Sequence, residues 1–225
     1  LLAIFLIKQI DEESLNLKKE PFCLRKIAQN YGVELKSELL LLYSSMIGSK
    51  TAIIYLFTST APIIAIKILG IAPKTYGILN LIPRSGYLCG ILISSYLVDK
   101  ISRDKLLKLG VGITLLGILF FVAVFFAKII NIVSLFLPFF IFFLGIPMFY
   151  SSVTVFATYS AQNRPVASSL MSFFDIFGAV MGLFLLGLLG DSILFTLPLS
   201  FLLISTAIVF LLFFSEKYVR LSVKS

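Results

Sequence analysis

The sequence contains no histidine, only two cysteines and few charged residues. Without histidine, the common zinc sites and Ser-His-Asp catalysis are excluded. Cys23 and Cys89 are too few and too far apart to predict a disulfide framework or a metal site. Asp, Glu, Lys and Arg make up 13% of the residues and hydrophobic types 59%, whereas charged residues form about a quarter of a soluble domain. The composition therefore predicts a polytopic membrane protein without a metal or cofactor.

Six long apolar segments follow a polar N-terminal stretch. Each is close to or above the roughly 20 residues that cross a bilayer, and short turns separate them. They lie at 39–66, 75–98, 106–127, 130–158, 166–189 and 192–214. The fourth contains Pro138 and Pro147, and we interpret it as one tilted or kinked helix. The pattern predicts an all-α membrane protein with six transmembrane helices.

Polar segments flank the six spans. Residues 8–38 mix both signs of charge and are predicted to be a cytoplasmic linker, with a short surface helix from Pro21 to Tyr31 that ends at Gly32. Residues 1–7, LLAIFLI, are interpreted as the end of a truncated preceding transmembrane helix, so the chain is predicted to be a fragment. Residues 215–225 are predicted to be a cytoplasmic tail.

The net charge of +8 is unevenly distributed between the two sides of the spans. Most bases lie in the 8–38 linker, in the turn between the second and third spans, and near the C-terminus, while the other side holds Lys67, Lys74 and Lys128. Since Lys and Arg are enriched in cytoplasmic loops, both ends of the six-helix unit are predicted to be cytoplasmic. Insertion in a lipid bilayer therefore accounts for the excess of Lys and Arg on one side of the spans. Nucleic acid is not expected as a partner.

Three ionisable residues lie inside the spans: Lys50, Arg84 and Asp175. At a rise of about 1.5 Å per residue, each lies roughly 14–15 Å from the start of its span, near the middle of a hydrocarbon core about 30 Å thick. A charge at that depth costs at least about 2.5 kcal/mol and needs a cavity or a partner. Asp175 is predicted to pair with Arg84 or with Lys50. It either binds and releases a coupling proton, with a neighbouring base adjusting its proton affinity, or forms a structural ion pair.

Small and aromatic residues in the spans indicate packing and cavity positions. Gly178 and Gly182 form a small-xxx-small pair, which permits close helix packing or, alternatively, hinge motion. The third and sixth spans carry no charge and are expected to face lipid, whereas charged or kinked spans are expected to line a cavity. Aromatic residues that can stack on an apolar cationic ligand at cavity-facing positions are Tyr55, Phe57, Tyr150 and Phe156.

The turn between the second and third spans reads SSYLVDKISRDKLL, from Ser94 to Leu107. It resembles the cytoplasmic loop motif of the major facilitator superfamily, G-x-x-x-D-[RK]-x-G-[RK]-[RK]. The positions that match in type or nearly in place are Asp99, Lys100, Arg103 and Lys105. Ser95 and Ser102 replace the two glycines, and Asp104 replaces a base.

This resemblance implies the C-terminal six-helix half of a twelve-helix transporter. In that fold the motif loop would hold a gate, and substrate would bind at the midplane between the two halves. The expected partners are then a missing N-terminal half, a small-molecule substrate and a proton.

Two segments also resemble the Bcr/CflA-type drug-resistance transporters. Ser59–Asn80 looks like their seventh-helix region, in which a Ser/Pro pair ends the helix, and Gln162–Gly178 is similar to their "G-ASALLGALQFG" segment. Pro165 replaces a glycine, and Asp175 stands where a glutamine is usual. The resemblance implies proton-coupled efflux of drug-like molecules or metabolites across an inner membrane by alternating access.

Two other functions are compatible with the same residues, and a third is not. A uniporter or an anion symporter of the same fold is favoured by two midplane bases over one acid. The apolar 1–7 segment favours a non-transporting fragment or remnant. An intramembrane enzyme needs clustered nucleophiles, bases or metal ligands, which one midplane acid without histidine does not provide, so we expect no catalytic site.

Overall fold

Long apolar runs separated by polar turns fold into helices that run in alternate directions. The computed structural model describes residues 24–188 and 193–222. Numbered in chain order, the helices are α1 (Leu24–Glu34), α2 (Glu38–Pro62), α3 (Pro73–Leu79), α4 (Leu81–Leu97), α5 (Arg103–Phe126), α6 (Ile132–Tyr159), α7 (Arg164–Leu188) and α8 (Ile193–Ser222). Across these ranges there is no strand, and six helical segments are long and apolar enough to cross a membrane. The predicted all-α class with six membrane-spanning helices is confirmed.

Contacts at the two ends of the bundle show that α2 runs opposite to α6 and that α5 runs opposite to α8. At one end, the Ser37 hydroxyl donates a hydrogen bond to the Ser160 carbonyl at 3.4 Å. At the other end, the rings of Phe126 and Phe195 have centres 6.1 Å apart. We call the first end the basic end; it comprises α1, the turns at 98–102 and 160–163, and the end of α8.

Side-chain caps set where several helices begin. At the start of α6, Asn131 Oδ1 accepts from the Ser134 backbone N–H at 2.9 Å, and Ser134 Oγ accepts from the Asn131 N–H at 2.8 Å. Ser37 and Ser102 accept from backbone N–H groups at the starts of α2 and α5. These caps set the first residue of α2, α5 and α6.

The linker helix α1 is longer than predicted at its C-terminal end. It runs through Gly32 to Glu34, so the predicted end at Gly32 is wrong. The last turn is held because Glu34 is buried against the start of α7. The predicted start at Pro21, the 1–7 segment and residues 8–23 of the linker lie outside the described residues.

The helices continue through the prolines of the first and fourth spans, as predicted. α2 does not end at the Ser/Pro pair but continues past Pro62 as the π-helix Ile63–Ile68, whose shifted hydrogen bonds accommodate the N–H that proline lacks. The chain then turns at Gly70, whose φ of 67° favours glycine. α6 passes through Pro138 and Pro147 as one helix.

α2 and α6 form the centre of the bundle, and α4 and α7 lie on its flanks. α6 packs mainly against α4 and α5, and α2 mainly against α7 and α8. The centre is filled by buried rings, which include Phe121, Phe136, Phe139, Phe142 and Phe201. α4 and α7 are the least buried spans, since each packs mainly against one neighbour. An open cavity remains between these two helices.

Candidate functional site

Lys50, Arg84 and Asp175 line one cavity half-way through the bundle. Counted from the starts of their spans, they lie about 17–18 Å along the helices at a rise of about 1.5 Å per residue. The cavity has a volume of about 560 Å³. Its other lining residues are Ile54, Tyr87, Leu88, Phe143, Ile146 and Tyr150. The three charges expected at the midplane therefore come together, and α5 and α8 contribute no described residue to this lining.

Asp175 pairs with Lys50 rather than with Arg84. Lys50 Nζ lies 3.5 Å from Asp175 Oδ1, and the Thr51 hydroxyl donates a hydrogen bond to the same oxygen. Lys50 Nζ also lies 4.6 Å from the centre of the Tyr150 ring, within the range of cation–π attraction. The Lys50 side chain is 11% exposed and that of Asp175 is 35% exposed. The carboxylate is thus the member of the pair that the cavity reaches more easily.

A close crossing of α2 and α7 brings the two charges of this pair together. A Cβ added at Gly178 would collide with the Gly48 backbone, and one added at Gly182 would lie 2.8 Å from the Ala52 Cβ. Small residues permit such an approach. Gly48 lies two residues before the lysine, and Gly178 lies three residues after the aspartate. The helix approach therefore determines how near the ammonium lies to the carboxylate.

Arg84 has no acidic partner among the described residues. No carboxylate of residues 24–188 or 193–222 lies within ion-pair distance of its guanidinium. The exposed side chain lines the cavity from α4, which approaches α6 so closely that a Cβ at Gly90 would lie 3.0 Å from the Pro147 ring. The described lining therefore carries two positive charges and one negative charge.

The two tyrosines predicted to contact substrate lie in different cavities. Tyr150 lines the main cavity together with Lys50. Tyr55 lines a smaller cavity of about 230 Å³, which Thr51 and Asp175 also border. Asp175 is therefore part of the wall of both cavities.

The two phenylalanines predicted to face the cavity are packing residues instead. Phe57 is buried and stacks on Phe139, with ring centres 3.6 Å apart. Phe156 stacks on Tyr43, with ring centres 5.6 Å apart. Neither lines the cavity of Lys50, because both rings are engaged in contacts inside the bundle.

The sequence of the spans matches one family model. The model describes the Major Facilitator Superfamily, and the match extends over residues 39–225. The chain belongs to the Major Facilitator Superfamily. With six helices that can cross a membrane, it is a multi-pass membrane transporter of this superfamily. A comparison with curated proteins found no match.

The motif turn of this superfamily member carries its salt bridges on residues other than the predicted ones. The predicted gating residues, all exposed, are Asp99, Lys100, Arg103 and Lys105. None of these four forms a salt bridge with another residue that the structure describes. Instead, Lys108 Nζ lies 2.9 Å from Asp104 Oδ2 and 3.1 Å from Glu216 Oε1. The contact with Glu216 joins the start of α5 to the end of α8, whereas the contact with Asp104 lies within α5. The i,i+4 spacing of Asp104 and Lys108 is visible in the sequence, but the partner on α8 is not.

A second contact at the basic end of this transporter joins the linker helix to α7. Glu34 is 1% exposed, and its carboxylate accepts a hydrogen bond from the Asn163 backbone N–H at 2.5 Å. Asn163 Oδ1 accepts from the Val166 N–H at 3.4 Å, so the carboxylate lies at the first turn of α7, where negative charge is favourable. The sequence offers no pattern that singles out Glu34 among the mixed charges of the linker.

Proposed function

We propose that the chain is the C-terminal six-helix half of a twelve-helix, proton-coupled secondary transporter. The observation that carries this proposal is the Lys50–Asp175 ion pair, which borders a cavity half-way through the bundle. Superfamily membership supports transport, and the bases at one end support a cytoplasmic location for that end, in an inner membrane. Substrate would bind between this half and an N-terminal half, and rocking of the halves would expose the site to each side in turn.

Asp175 is the residue that we assign to the coupling proton. Its carboxylate binds Lys50 and Thr51 and is 35% exposed, so a proton can reach it through the cavity. Protonation removes the negative charge and the attraction to Lys50, whose side chain is only 11% exposed. A largely buried ammonium that loses its partner is unfavourable. The proton therefore changes which arrangement of α2 and α7 is stable.

The first candidate cargo is a drug-like molecule or metabolite that is exported in exchange for protons. The resemblance of residues 59–80 and 162–178 to drug-resistance transporters supports this cargo. Tyrosine rings border both cavities and offer surfaces on which an apolar cation can stack. In this mode the cation and the proton would occupy Asp175 alternately.

The second candidate is symport or uniport of an anion. It is favoured by the charge of the cavity lining, where Lys50 and Arg84 outnumber Asp175. In a uniporter the ion pair would be structural, and transport would move no protons.

Proton coupling is tested with the full-length gene product in proteoliposomes under an imposed pH gradient. Internal pH is followed while lipophilic cations and aryl carboxylates are added. Wild type is compared with Asp175→Asn and with Glu38→Gln, a control that neutralises an exposed acid at the start of α2.

Coupling in wild type and in the control, together with loss in Asp175→Asn, supports the proposal. Coupling that survives in Asp175→Asn assigns the ion pair a structural role. If no compound moves protons although the protein is inserted, uniport or a non-transporting fragment replaces the proposed function.

A further inference from the structure

Arg84 gives the cavity a positive charge that the described residues do not neutralise. The Asp175 carboxylate pairs with Lys50 at 3.5 Å. Among the described residues, the Arg84 guanidinium is then the cation in the cavity wall that has no carboxylate partner. We propose that the cargo is an amphiphilic organic anion, a carboxylate or sulfonate on an aromatic or branched apolar body, whose acid group binds Arg84. This assignment rests on the proposed transport function and selects the second of its two cargo classes.

Depth and chemistry both favour an anion at Arg84. An ionised side chain near the middle of a bilayer is unfavourable unless a partner or water compensates it. A guanidinium stays charged at physiological pH, and its planar fork of N–H donors binds a carboxylate through two parallel hydrogen bonds. An anionic cargo therefore binds a charged group whose position half-way along its span is otherwise unfavourable.

The remaining walls of the cavity suit an apolar body of limited size. Tyr87 and Phe143 meet edge to face, with ring centres 6.5 Å apart. Ile54, Leu88 and Ile146 extend this apolar lining. The volume of about 560 Å³ falls within the range of about 300–1,000 Å³ that small-molecule sites occupy. Aromatic carboxylates combine one acid group with a flat apolar body of this kind.

The charge balance of the lining couples the anion to the proton. With Asp175 ionised, the lining carries Lys50 (+1), Arg84 (+1) and Asp175 (−1), a net charge of +1. The carboxylate then competes with the cargo for Lys50. Protonation of Asp175 raises the net charge to +2 and leaves Lys50 able to attract the anion. The anion and the proton are therefore expected to bind together, which corresponds to symport.

Three probes with one ring system test this assignment. They are 2-naphthoate, the neutral 2-naphthamide and the cationic 2-naphthylmethylammonium. Isothermal titration calorimetry measures their binding to the full-length gene product in nanodiscs of zwitterionic phosphatidylcholine, with empty nanodiscs subtracted. The variants are Arg84→Gln, Arg84→Lys and Asp175→Asn, and the control is Lys74→Gln, which removes an exposed base from the same span.

Naphthoate should bind wild type at least about tenfold more tightly than naphthamide, as expected for a charge-assisted hydrogen-bonded pair. Arg84→Gln should abolish this preference, Arg84→Lys should keep part of it because the charge remains without the fork, and Lys74→Gln should leave it intact. Asp175→Asn should tighten naphthoate binding, because the competing carboxylate is gone. Equal binding of naphthoate and naphthamide, preference for the ammonium probe, or weaker naphthoate binding in Asp175→Asn overturns the assignment.

Proton movement in proteoliposomes separates this assignment from the proposed function. Proton movement with 2-naphthylmethylammonium but not with 2-naphthoate leaves coupled transport in place and refutes the anion. Naphthoate binding that depends on Arg84 but moves no protons supports the anion and refutes proton coupling.

Discussion

Gly178 of α7 lies directly against the backbone of Gly48 in α2. The two glycines flank the positions of Asp175 and Lys50 on the same two helices. The contact therefore sets the distance between the helices at the level of the ion pair. A change at this crossing is expected to affect both the stability of the bundle and the geometry of the charged cavity.

Gly178→Ala should destabilise the protein and impair transport. The added Cβ collides with backbone, which cannot rotate away as a side chain can, so we expect a loss of about 1–3 kcal/mol in the free energy of unfolding. Unfolding by titration with sodium dodecyl sulfate measures this change. The control is Gly187→Ala in the same helix, where a Cβ meets nothing within 4 Å and alanine is the better helix former. Equal destabilisation by both variants would contradict the close crossing.

Lys50 and Asp175 should show energetic coupling in a double-mutant cycle. Each single variant, Lys50→Met or Asp175→Asn, leaves one charge without its 3.5 Å partner, whereas the double variant removes both charges. The cycle is expected to give a coupling of about 0.5–3 kcal/mol that depends weakly on salt.

The pair of Asp104 and Lys108 is the matched control for this cycle. Their side chains are 55% and 44% exposed, so their coupling should stay below about 1 kcal/mol and fall with salt. If the coupling energy of Lys50 and Asp175 is as small and as salt-sensitive as that of Asp104 and Lys108, the central pair interacts only weakly.

The depth of the charged residues was predictable from the sequence, but which of the two bases pairs with Asp175 was not. The helix rise is nearly constant, so counting residues from the turns places Lys50, Arg84 and Asp175 at one level. Which base meets the acid depends on the rotation of each helix and on how closely two helices approach. That approach is set by Gly48, which lies on a helix far from Gly178 in sequence. For the same reason, the hydroxyl of Thr51 was not recognised as a partner of the carboxylate.

Local signals also failed where a tertiary contact overrides them. Gly32 is a typical helix end, yet α1 continues because Glu34 is buried two residues later. At Pro62, by contrast, the predicted 39–66 span is correct, because the chain continues past this residue as the π-helix Ile63–Ile68. The six spans were predictable because long apolar runs have few alternatives to helix in a membrane.

Glu34→Ala should release the linker helix from the bundle. The substitution leaves the Asn163 N–H without its carboxylate partner and is expected to cost about 1–2 kcal/mol, comparable to loss of a helix cap. Limited trypsin digestion should then cut faster at Arg25 and Lys36, which lie in α1 and just after it. Glu38→Ala, at an exposed position in the first turn of α2, is the control. Equal digestion rates for Glu34→Ala and wild type would mean that the buried carboxylate does not hold α1 in place.

Asp99→Asn should slow transport without lowering stability, if the motif turn holds a gate. Asp99 is exposed and forms no salt bridge with the residues described, so the free energy of unfolding should change by no more than about 0.5 kcal/mol. A contact that forms in only one of two access states alters the balance between those states. The rate of counterflow with labelled 2-naphthoate or 2-naphthylmethylammonium should therefore fall.

Lys108→Gln separates gating from stability at the same turn. It removes the salt bridge between α5 and α8 and the one within α5, so its effect on unfolding should be measurable but no more than about 1 kcal/mol. If Asp99 takes part in a gate, Asp99→Asn should lower the exchange rate more than Lys108→Gln does, even though Asp99→Asn is the more stable variant. An exchange rate that follows stability in both variants would assign the turn a structural role, because both charges would then act only by holding helices together.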